Sequence, residues 1–186
     1  MIARRPPLGL FVGGRGSRMG GVDKGLLNVG GSTVAGRMLE RARALDIEMI
    51  LVGRSGAYAS LGCRCVADDR PDAGPLGGLV ALLADAREGS VLAVACDMPH
   101  VSAALLSRLM NEQRDAAVLA PRTGGRWEPL LARYDVQRVL PVARRRLDEG
   151  YLSLQPLLDE LGALELDLNM GERAELADWD SPGDLR

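Results

Sequence analysis

The feature that most limits the fold of this chain is the alternation of short apolar runs with segments of helical periodicity. Runs such as residues 8–13, "IEMILVG" and "SVLAVAC" are almost wholly apolar, as expected for strands buried on both faces of a parallel sheet. Segments such as "STVAGRMLERARALD" and "PLGGLVALLADAREG" between them place apolar residues three and four positions apart. This alternation predicts an α/β fold, a three-layer, doubly wound and mostly parallel sheet with helices on both faces. A later helix, "VQRVLPVARRRLDEG", is predicted with Pro141 in or near its first turn.

Length and composition favour one globular domain over residues 1–186. Apolar residues make up 47% and charged residues 26% of the chain, and a net charge of −2 argues against a general binder of nucleic acids or anionic membranes. The apolar runs are far shorter than the roughly 20 residues that cross a bilayer. The amino terminus lacks a signal-peptide cleavage site, and three cysteines form neither a paired framework nor a zinc spacing. We expect a cytoplasmic protein with reduced thiols.

The stretch "FVGGRGSRMGGVDKG", residues 11–25, places six glycines and three basic residues directly behind the first apolar run. It fits neither a P-loop, because Lys24 is followed by Gly25, nor a dinucleotide fingerprint, because Met19 stands where the third glycine would be. Successive glycines still let backbone N–H groups turn toward an anion, and basic side chains add full positive charges. The loop therefore predicts a polyphosphate site, with a solvated glycine loop as the alternative.

Four segments together carry a resemblance to a known family. "GGRGSRMGGVDKGLL", "DAGPLGGL", "ACDMP" and "EPLLARY" are similar to the motifs of the molybdenum cofactor guanylyltransferases, a branch of the nucleotidyltransferases that build sugar nucleotides. The resemblance implies the Rossmann-like nucleotide-diphospho-sugar transferase fold. It also implies that GTP and a molybdenum-bound molybdopterin combine, with Mg²⁺, to give a guanine dinucleotide cofactor and pyrophosphate. Further partners implied are proteins of molybdenum insertion and molybdoenzyme maturation, with no nucleic acid and no membrane.

The same resemblance assigns roles to individual residues. The base and phosphates of the nucleotide would be bound by the loop and by two later carboxylates, with a lysine and an arginine acting on the phosphates and one carboxylate holding the metal. The nucleotide-binding residues are Phe11, Val12, Gly13, Gly14, Arg15, Gly16, Ser17, Lys24, Asp69 and Asp97; the catalytic residues are Arg18, Lys24 and Asp97; and the Mg²⁺ ligand is Asp97.

The acidic residues have structural alternatives. Asp97 precedes a predicted helix and is a candidate N-cap, although Ser102 is better placed for that role. Its position at the end of "SVLAVAC" suits Mg²⁺, which takes hard oxygen ligands and commonly one or two carboxylates besides substrate phosphates. Asp68 and Asp72 lie in "DDRPD", a composition typical of turns. Whether Asp68, Asp69 or neither is a second metal ligand is open.

Two further groups of residues lie near the predicted site. His100 is interpreted as a polar loop residue, because an acceptor phosphate is already ionised and requires no base. Arg122, Arg126 and Trp127 precede "EPLLARY" and are a hypothesis for the acceptor side of the cleft.

The identity of the acceptor is the least determined part of the sequence. The family carries asparagines that touch the pterin where this chain has "DWDSPGD", with Asp178 and Asp180 in their place. Three alternatives remain: a molybdopterin cytidylyltransferase, a small sugar-phosphate nucleotidyltransferase, and a nucleotide-binding regulatory module without turnover.

Overall fold

Strands and helices alternate along the part of the chain that the computed structural model describes, residues 5–12, 24–53, 56–68, 70 and 72–176. Two 3-10 turns, Lys24–Leu26 and Gly56–Leu61, accompany them. In chain order the elements are β1 (Leu8–Phe11), β2 (Asn28–Val29), β3 (Ser32–Thr33), α1 (Val34–Ala44), β4 (Met49–Val52), β5 (Arg64–Val66), α2 (Gly74–Ala86), β6 (Ser90–Ala95), α3 (Ala103–Asn111), β7 (Val118–Ala120), β8 (Arg122–Thr123), β9 (Arg126–Trp127), β10 (Leu131–Asp135), α4 (Val136–Asp148), α5 (Leu154–Glu160), β11 (Leu164–Glu165) and α6 (Met170–Ala174).

Seven of these strands form one sheet in the order β11-β7-β10-β6-β1-β4-β5. β1 lies between β4 and β6 and pairs in parallel with both, so that Phe11 stands beside both Val52 and Ala95. β10 is the reversed strand, antiparallel to β6 and to β7. The prediction of a doubly wound, mostly parallel α/β sheet is confirmed.

The sheet separates two hydrophobic cores, one on each face. Alternate residues of each central strand enter opposite cores, as in β4, where Met49 and Leu51 face one side and Ile50 and Val52 the other. Apolar residues of α2, α4 and α5 fill the first core, and those of α1 and α3 fill the second. The arrangement has the three layers that the alternation of apolar runs and amphipathic segments predicts.

Close packing of α2 on the sheet depends on glycine. A Cβ atom on Gly78 would lie 2.9 Å from Val52 Cγ1 and 3.1 Å from Phe11 Cε1, both in buried side chains. Real Cβ atoms do not approach so closely without a shift of their neighbours. Gly78 therefore lets α2 approach the ends of β1 and β4.

Pro141 lies inside α4, just beyond the first turn in or near which the sequence predicts it. The helix begins at Val136, so Pro141 is its sixth residue and lies in the second turn. A proline there leaves the carbonyl of Gln137 without its helical donor. Both residues are exposed, so water can hydrate that carbonyl and the helix continues to Asp148.

The contact at Gly78 predicts a stability difference between two identical substitutions. Gly78→Val should lower the free energy of unfolding by about 2 kcal/mol, because the added atoms overlap Val52 and Phe11. Gly56→Val is the matched control, since a Cβ there meets no atom within 4 Å. Urea denaturation of both variants measures the difference, and equal losses would contradict the packing argument.

Candidate active site

The carboxyl ends of four parallel strands meet at one edge of the sheet. Register places Phe11 beside Val52 and Ala95, and Val52 beside Val66. The segments that follow these strands, among them the glycine loop and the stretch containing Asp97, therefore leave from the same edge. Ligands of open α/β sheets bind outside the carboxyl ends of the strands, so this edge is the candidate site.

A lysine and an aspartate from distant parts of the chain meet at this edge. The Nζ atom of Lys24 lies 3.7 Å from Oδ2 of Asp97, and the two side chains retain 35% and 40% of their exposure. Lys24 begins the 3-10 turn behind the glycine loop, and Asp97 lies two residues beyond the end of β6. Lys24 is also the only lysine of a chain with 23 basic residues. The structure thus brings together two of the three predicted catalytic residues.

Asp97 is not a helix cap. The N-cap of α3 is Ser102, whose Oγ accepts the N–H of Leu105 at 3.1 Å. Between the two residues, Met98 and Val101 are buried in the second core and hold the turn against the sheet. The Asp97 carboxylate is therefore presented at the edge by a packed turn, beside the Lys24 ammonium.

Phe11 and Val12 turn their side chains away from this edge. Each is 6% exposed, Phe11 in the first core and Val12 in the second. The carbonyl of Phe11 accepts the N–H of Cys96 at 3.2 Å, and the N–H of Val12 donates to the carbonyl of Val52 at 3.0 Å. With both side chains in the cores, a nucleotide contact from either residue would come from the backbone.

Asp68 is engaged in a local turn beside the site. Its Oδ1 accepts the N–H of Arg70 at 2.9 Å, and a Cβ on Gly77 of α2 would overlap its carboxylate. The neighbouring Asp72 adopts a positive φ of 66°. These features match the turn that the composition of residues 68–72 predicts.

The remaining residues of the loop prediction lie outside the described part of the chain and stay predictions. They are Gly13, Gly14, Arg15, Gly16, Ser17, Arg18 and Asp69, and the carboxyl-terminal Asp178 and Asp180 lie outside it as well.

On the other side of Asp97, the β8–β9 hairpin reaches the same edge because β10 is reversed. The N–H of Ala95 donates to the carbonyl of Leu130 at 2.8 Å, which places the start of β10 beside the end of β6. In the hairpin, the guanidinium of Arg122 stacks 3.8 Å above the ring of Trp127. Arg126 is exposed, and so is His100 on the Asp97 side.

Trp127 anchors this hairpin to α5. Its indole Nε1 donates to Oδ1 of Asp159 at 2.8 Å, and the Gln155 side chain both accepts from its N–H at 3.1 Å and donates to its carbonyl at 2.7 Å. The ring is only 6% exposed. Of the three residues predicted on the acceptor side, Trp127 is thus structural, while Arg122 and Arg126 keep partly exposed cationic side chains. Nothing in the sequence marks Gln155 or Asp159 as the partners.

Residues 10–163 match the MobA-like NTP transferase domain, which is most of the chain. The chain belongs to this family. It is accordingly a nucleotidyltransferase, and the carboxyl edge with Lys24 and Asp97 is the candidate active site of a MobA-like enzyme.

Among curated relatives, a molybdenum cofactor guanylyltransferase of Pseudomonas putida is 34% identical over an alignment of 189 positions that covers 97% of both chains. One of the same name from Pseudomonas fluorescens SBW25 is 41% identical over 127 positions, 66% of this chain and 64% of that one. These relatives extend the family similarity beyond the domain match to nearly the whole chain.

Solved structures show the same fold. The molybdopterin-guanine dinucleotide biosynthesis protein A of Archaeoglobus fulgidus superposes with a TM-score of 0.78 at 22% identity, covering 96% of this chain and 94% of that one. The 2-C-methyl-D-erythritol 4-phosphate cytidylyltransferase of Thermus thermophilus gives 0.66 at 20% identity, with 95% and 94% covered. The nucleotide-diphospho-sugar transferase fold is therefore shown for this MobA-like chain.

Two searches of the described residues bear on possible ligands. No group of three or more His, Cys, Asp or Glu side chains arranged to hold a metal ion occurs among them. No helix among them is long and apolar enough to span a bilayer.

Because Lys24 is the only lysine, its role is open to chemical labelling. An amine-directed reagent followed by peptide mass spectrometry should modify Lys24, and GTP with Mg²⁺ should slow that modification at least about fivefold if the ammonium contacts phosphate. The α-amino group serves as an internal control whose labelling should not change. Equal labelling with and without nucleotide would contradict phosphate contact.

The same hypothesis predicts the effect of Lys24→Ala. Triphosphate binding should weaken by about 1.5–3 kcal/mol, the scale of a hydrogen bond to a charged group. The free energy of unfolding should change by less than about 1 kcal/mol, because an ion pair this exposed contributes little. Calorimetric titration and urea denaturation measure the two quantities, with the exposed Arg144→Ala on α4 as the control.

Proposed function

We propose that this enzyme transfers GMP from GTP to a molybdopterin-type acceptor and releases pyrophosphate, forming a guanine dinucleotide cofactor. The observation that carries the proposal is the Lys24–Asp97 pair at the carboxyl edge of the sheet, directly behind the glycine loop. The name shared by relatives that align over 97% of the chain supports this choice of nucleotide and acceptor. One seven-stranded sheet with a hydrophobic core on each face supports a single domain over residues 1–186.

The reaction brings negative charge against negative charge. An acceptor phosphate oxygen attacks the α-phosphorus of the triphosphate, the bond to the β-phosphate oxygen breaks, and pyrophosphate departs with additional charge. The Lys24 ammonium is placed to bind phosphate oxygens, and Arg18 is proposed to act beside it. Neither residue needs to transfer a proton, because the attacking phosphate oxygen is already ionised at neutral pH.

The chemistry of the edge fits Mg²⁺. Asp97 offers a hard carboxylate that is 40% exposed and held on a packed turn. Mg²⁺ commonly takes one or two carboxylates together with phosphate oxygens and water, so a site without three clustered protein ligands among the described residues suits it. Asp97 would hold the ion, which when bound offsets phosphate charge. Oδ1 of Asp68 accepts the N–H of Arg70 and its Oδ2 keeps its lone pairs, so a second contact from Asp68, from Asp69 or from neither is compatible with the proposal.

The nucleotide and the acceptor are proposed to lie on opposite sides of Asp97. The start of α2 lies on the β1–β4–β5 side, where the N-cap residue Ala73 offers the first-turn N–H groups no side-chain acceptor, and we propose this side for the nucleotide. The β8–β9 hairpin with Arg122 and Arg126 lies on the β10 side and supplies positive charge for an anionic acceptor. Cys63, Cys65 and Cys96 form no disulfide bond, which suits the reducing cytoplasm.

Nucleotide choice tests the guanylyl assignment. GTP with Mg²⁺ should bind at least ten times more tightly than CTP, a difference of about 1.4 kcal/mol, because backbone groups of the loop and of α2 can pair with a purine edge. Calorimetric titration with all four nucleoside triphosphates gives the ranking. A preference for CTP would assign the enzyme to cytidylyl transfer instead.

Asp97→Asn tests the metal assignment. Asparagine keeps the shape of the side chain and loses its charge, so we expect an unchanged melting temperature and a loss of turnover of about a hundredfold or more. Product formed from GTP and molybdopterin is followed by mass over a magnesium titration for both proteins. Full activity of the variant at the same magnesium dependence would overturn the assignment.

A further inference from the structure

The turn of residues 96–102 that carries Asp97 is attached to the molecule at several points. At its start, Cys96 donates its N–H to the carbonyl of Phe11. At its end, the N–H of Ser102 donates to Oε2 of Glu175 at 2.8 Å. Residues 98 and 101 are buried between these points. Pro99 lies two residues after Asp97, and it can accept a hydrogen bond through its carbonyl but has no N–H to donate.

The carbonyl of Pro99 is bound by an arginine from α1. Nη2 of Arg41 donates to it at 2.8 Å, across 58 positions of sequence. Arg41 is partly buried; burial and the neighbouring Arg37 lower the pKa of its guanidinium, while the carboxylates of Glu175 and Glu40 raise it. Its Nη1 is buried and has no hydrogen-bond partner in the described part of the chain. Withdrawing a guanidinium partly from water costs free energy, and here it gains one hydrogen bond to a carbonyl. We read this as a sign that the position of the Pro99 carbonyl is important for the site.

The same helix is attached to the Lys24 turn at its other end. The N–H of Leu27 donates to the carbonyl of Lys24 at 3.2 Å, and the N–H of Val34, the first residue of α1, donates to the carbonyl of Leu27 at 3.1 Å. Thr33 caps the helix by accepting the N–H of Gly36 at 3.0 Å. α1 therefore holds the lysine turn through its amino end and the aspartate turn through its arginine at position 41.

We infer that Arg41 is a positioning residue for the transfer reaction, which sets the Asp97 carboxylate at its distance from the Lys24 ammonium by fixing the 96–102 turn against α1. The inference rests on the proposed function, because it assigns Arg41 a role through Asp97. In this role Arg41 acts through the carbonyl of Pro99 and not by contact with nucleotide or metal. It acts on the geometry with which Asp97 meets a nucleotide-bound cation.

The test compares Arg41→Met, Arg41→Lys and the control Arg43→Met, which alters an exposed arginine of the same helix. For Arg41→Met we expect kcat to fall by about ten- to a hundredfold, the scale of a displacement near 1 Å, with the KM for GTP changed by less than about threefold. Electron paramagnetic resonance with Mn²⁺ as the probe, in the presence of GTP, should show weaker Mn²⁺ binding. Arg41→Lys should recover most of the loss, because a lysine can still donate to one carbonyl, and Arg43→Met should behave as the parent protein.

Wild-type kcat and Mn²⁺ binding in Arg41→Met would overturn the inference. So would a kcat that the lysine variant does not restore although that variant melts at the parental temperature. If Arg41→Met does not fold, Arg41→Gln, which keeps a donor but is too short to reach Pro99, takes its place with the same two outcomes. Asp97→Asn is measured alongside. Unchanged Mn²⁺ binding by Asp97→Asn would overturn the metal role of Asp97. Loss of Mn²⁺ binding by Asp97→Asn, together with wild-type kcat and Mn²⁺ binding in Arg41→Met, would overturn the role of Arg41 alone.

Discussion

The parallel pairing of β1 with β4 and β6 is the constraint on which the site depends. It places the carboxyl ends of three buried strands in register, with Phe11 beside Val52 and Ala95. Parallel strands need crossover helices, which cover both faces of the sheet and leave its carboxyl edge as the place where polar segments can gather. The chain leaves the sheet after Phe11 and after Ala95 at this same edge, and Lys24 and Asp97 meet there.

The site is built by burying apolar residues beside polar ones. Met98 and Val101 lie in the second core while Asp97 between β6 and α3 stays 40% exposed, so the charge is held firmly without being desolvated. Gly78 of α2 contributes by letting the helix approach Phe11 and Val52. Neither device requires a buried ionised pair, which would cost more in desolvation than its attraction returns.

Arginine and lysine divide the cationic roles in this protein. The side chains of Arg122, Arg41 and Arg133 stack on a ring or donate to backbone carbonyls, as suits a planar guanidinium with several fixed donors. The one lysine, a compact ammonium on a flexible stem, lies 3.7 Å from the Asp97 carboxylate and is the residue we propose to bind phosphate. This difference supports a scaffold role for Arg41 and a ligand-binding role for Lys24.

The fold class could be predicted from the sequence because burial of a parallel strand on both faces demands a continuous apolar run, and amphipathic helices demand a regular spacing of apolar residues. Motifs likewise single out Lys24 and Asp97, since glycines and charges placed directly after apolar runs do not suit a core. Sequence alone does not reveal the reversal of β10, the hydrogen bonds of Trp127 with Gln155 and Asp159, or the hydrogen bond from Arg41 to the carbonyl of Pro99. Each of these depends on contacts between residues far apart in the chain. In the sequence, Arg41 and Arg43 of α1 look alike. Only the packing of α1 against the 96–102 turn makes Arg41 a partner of Pro99 and leaves Arg43 exposed.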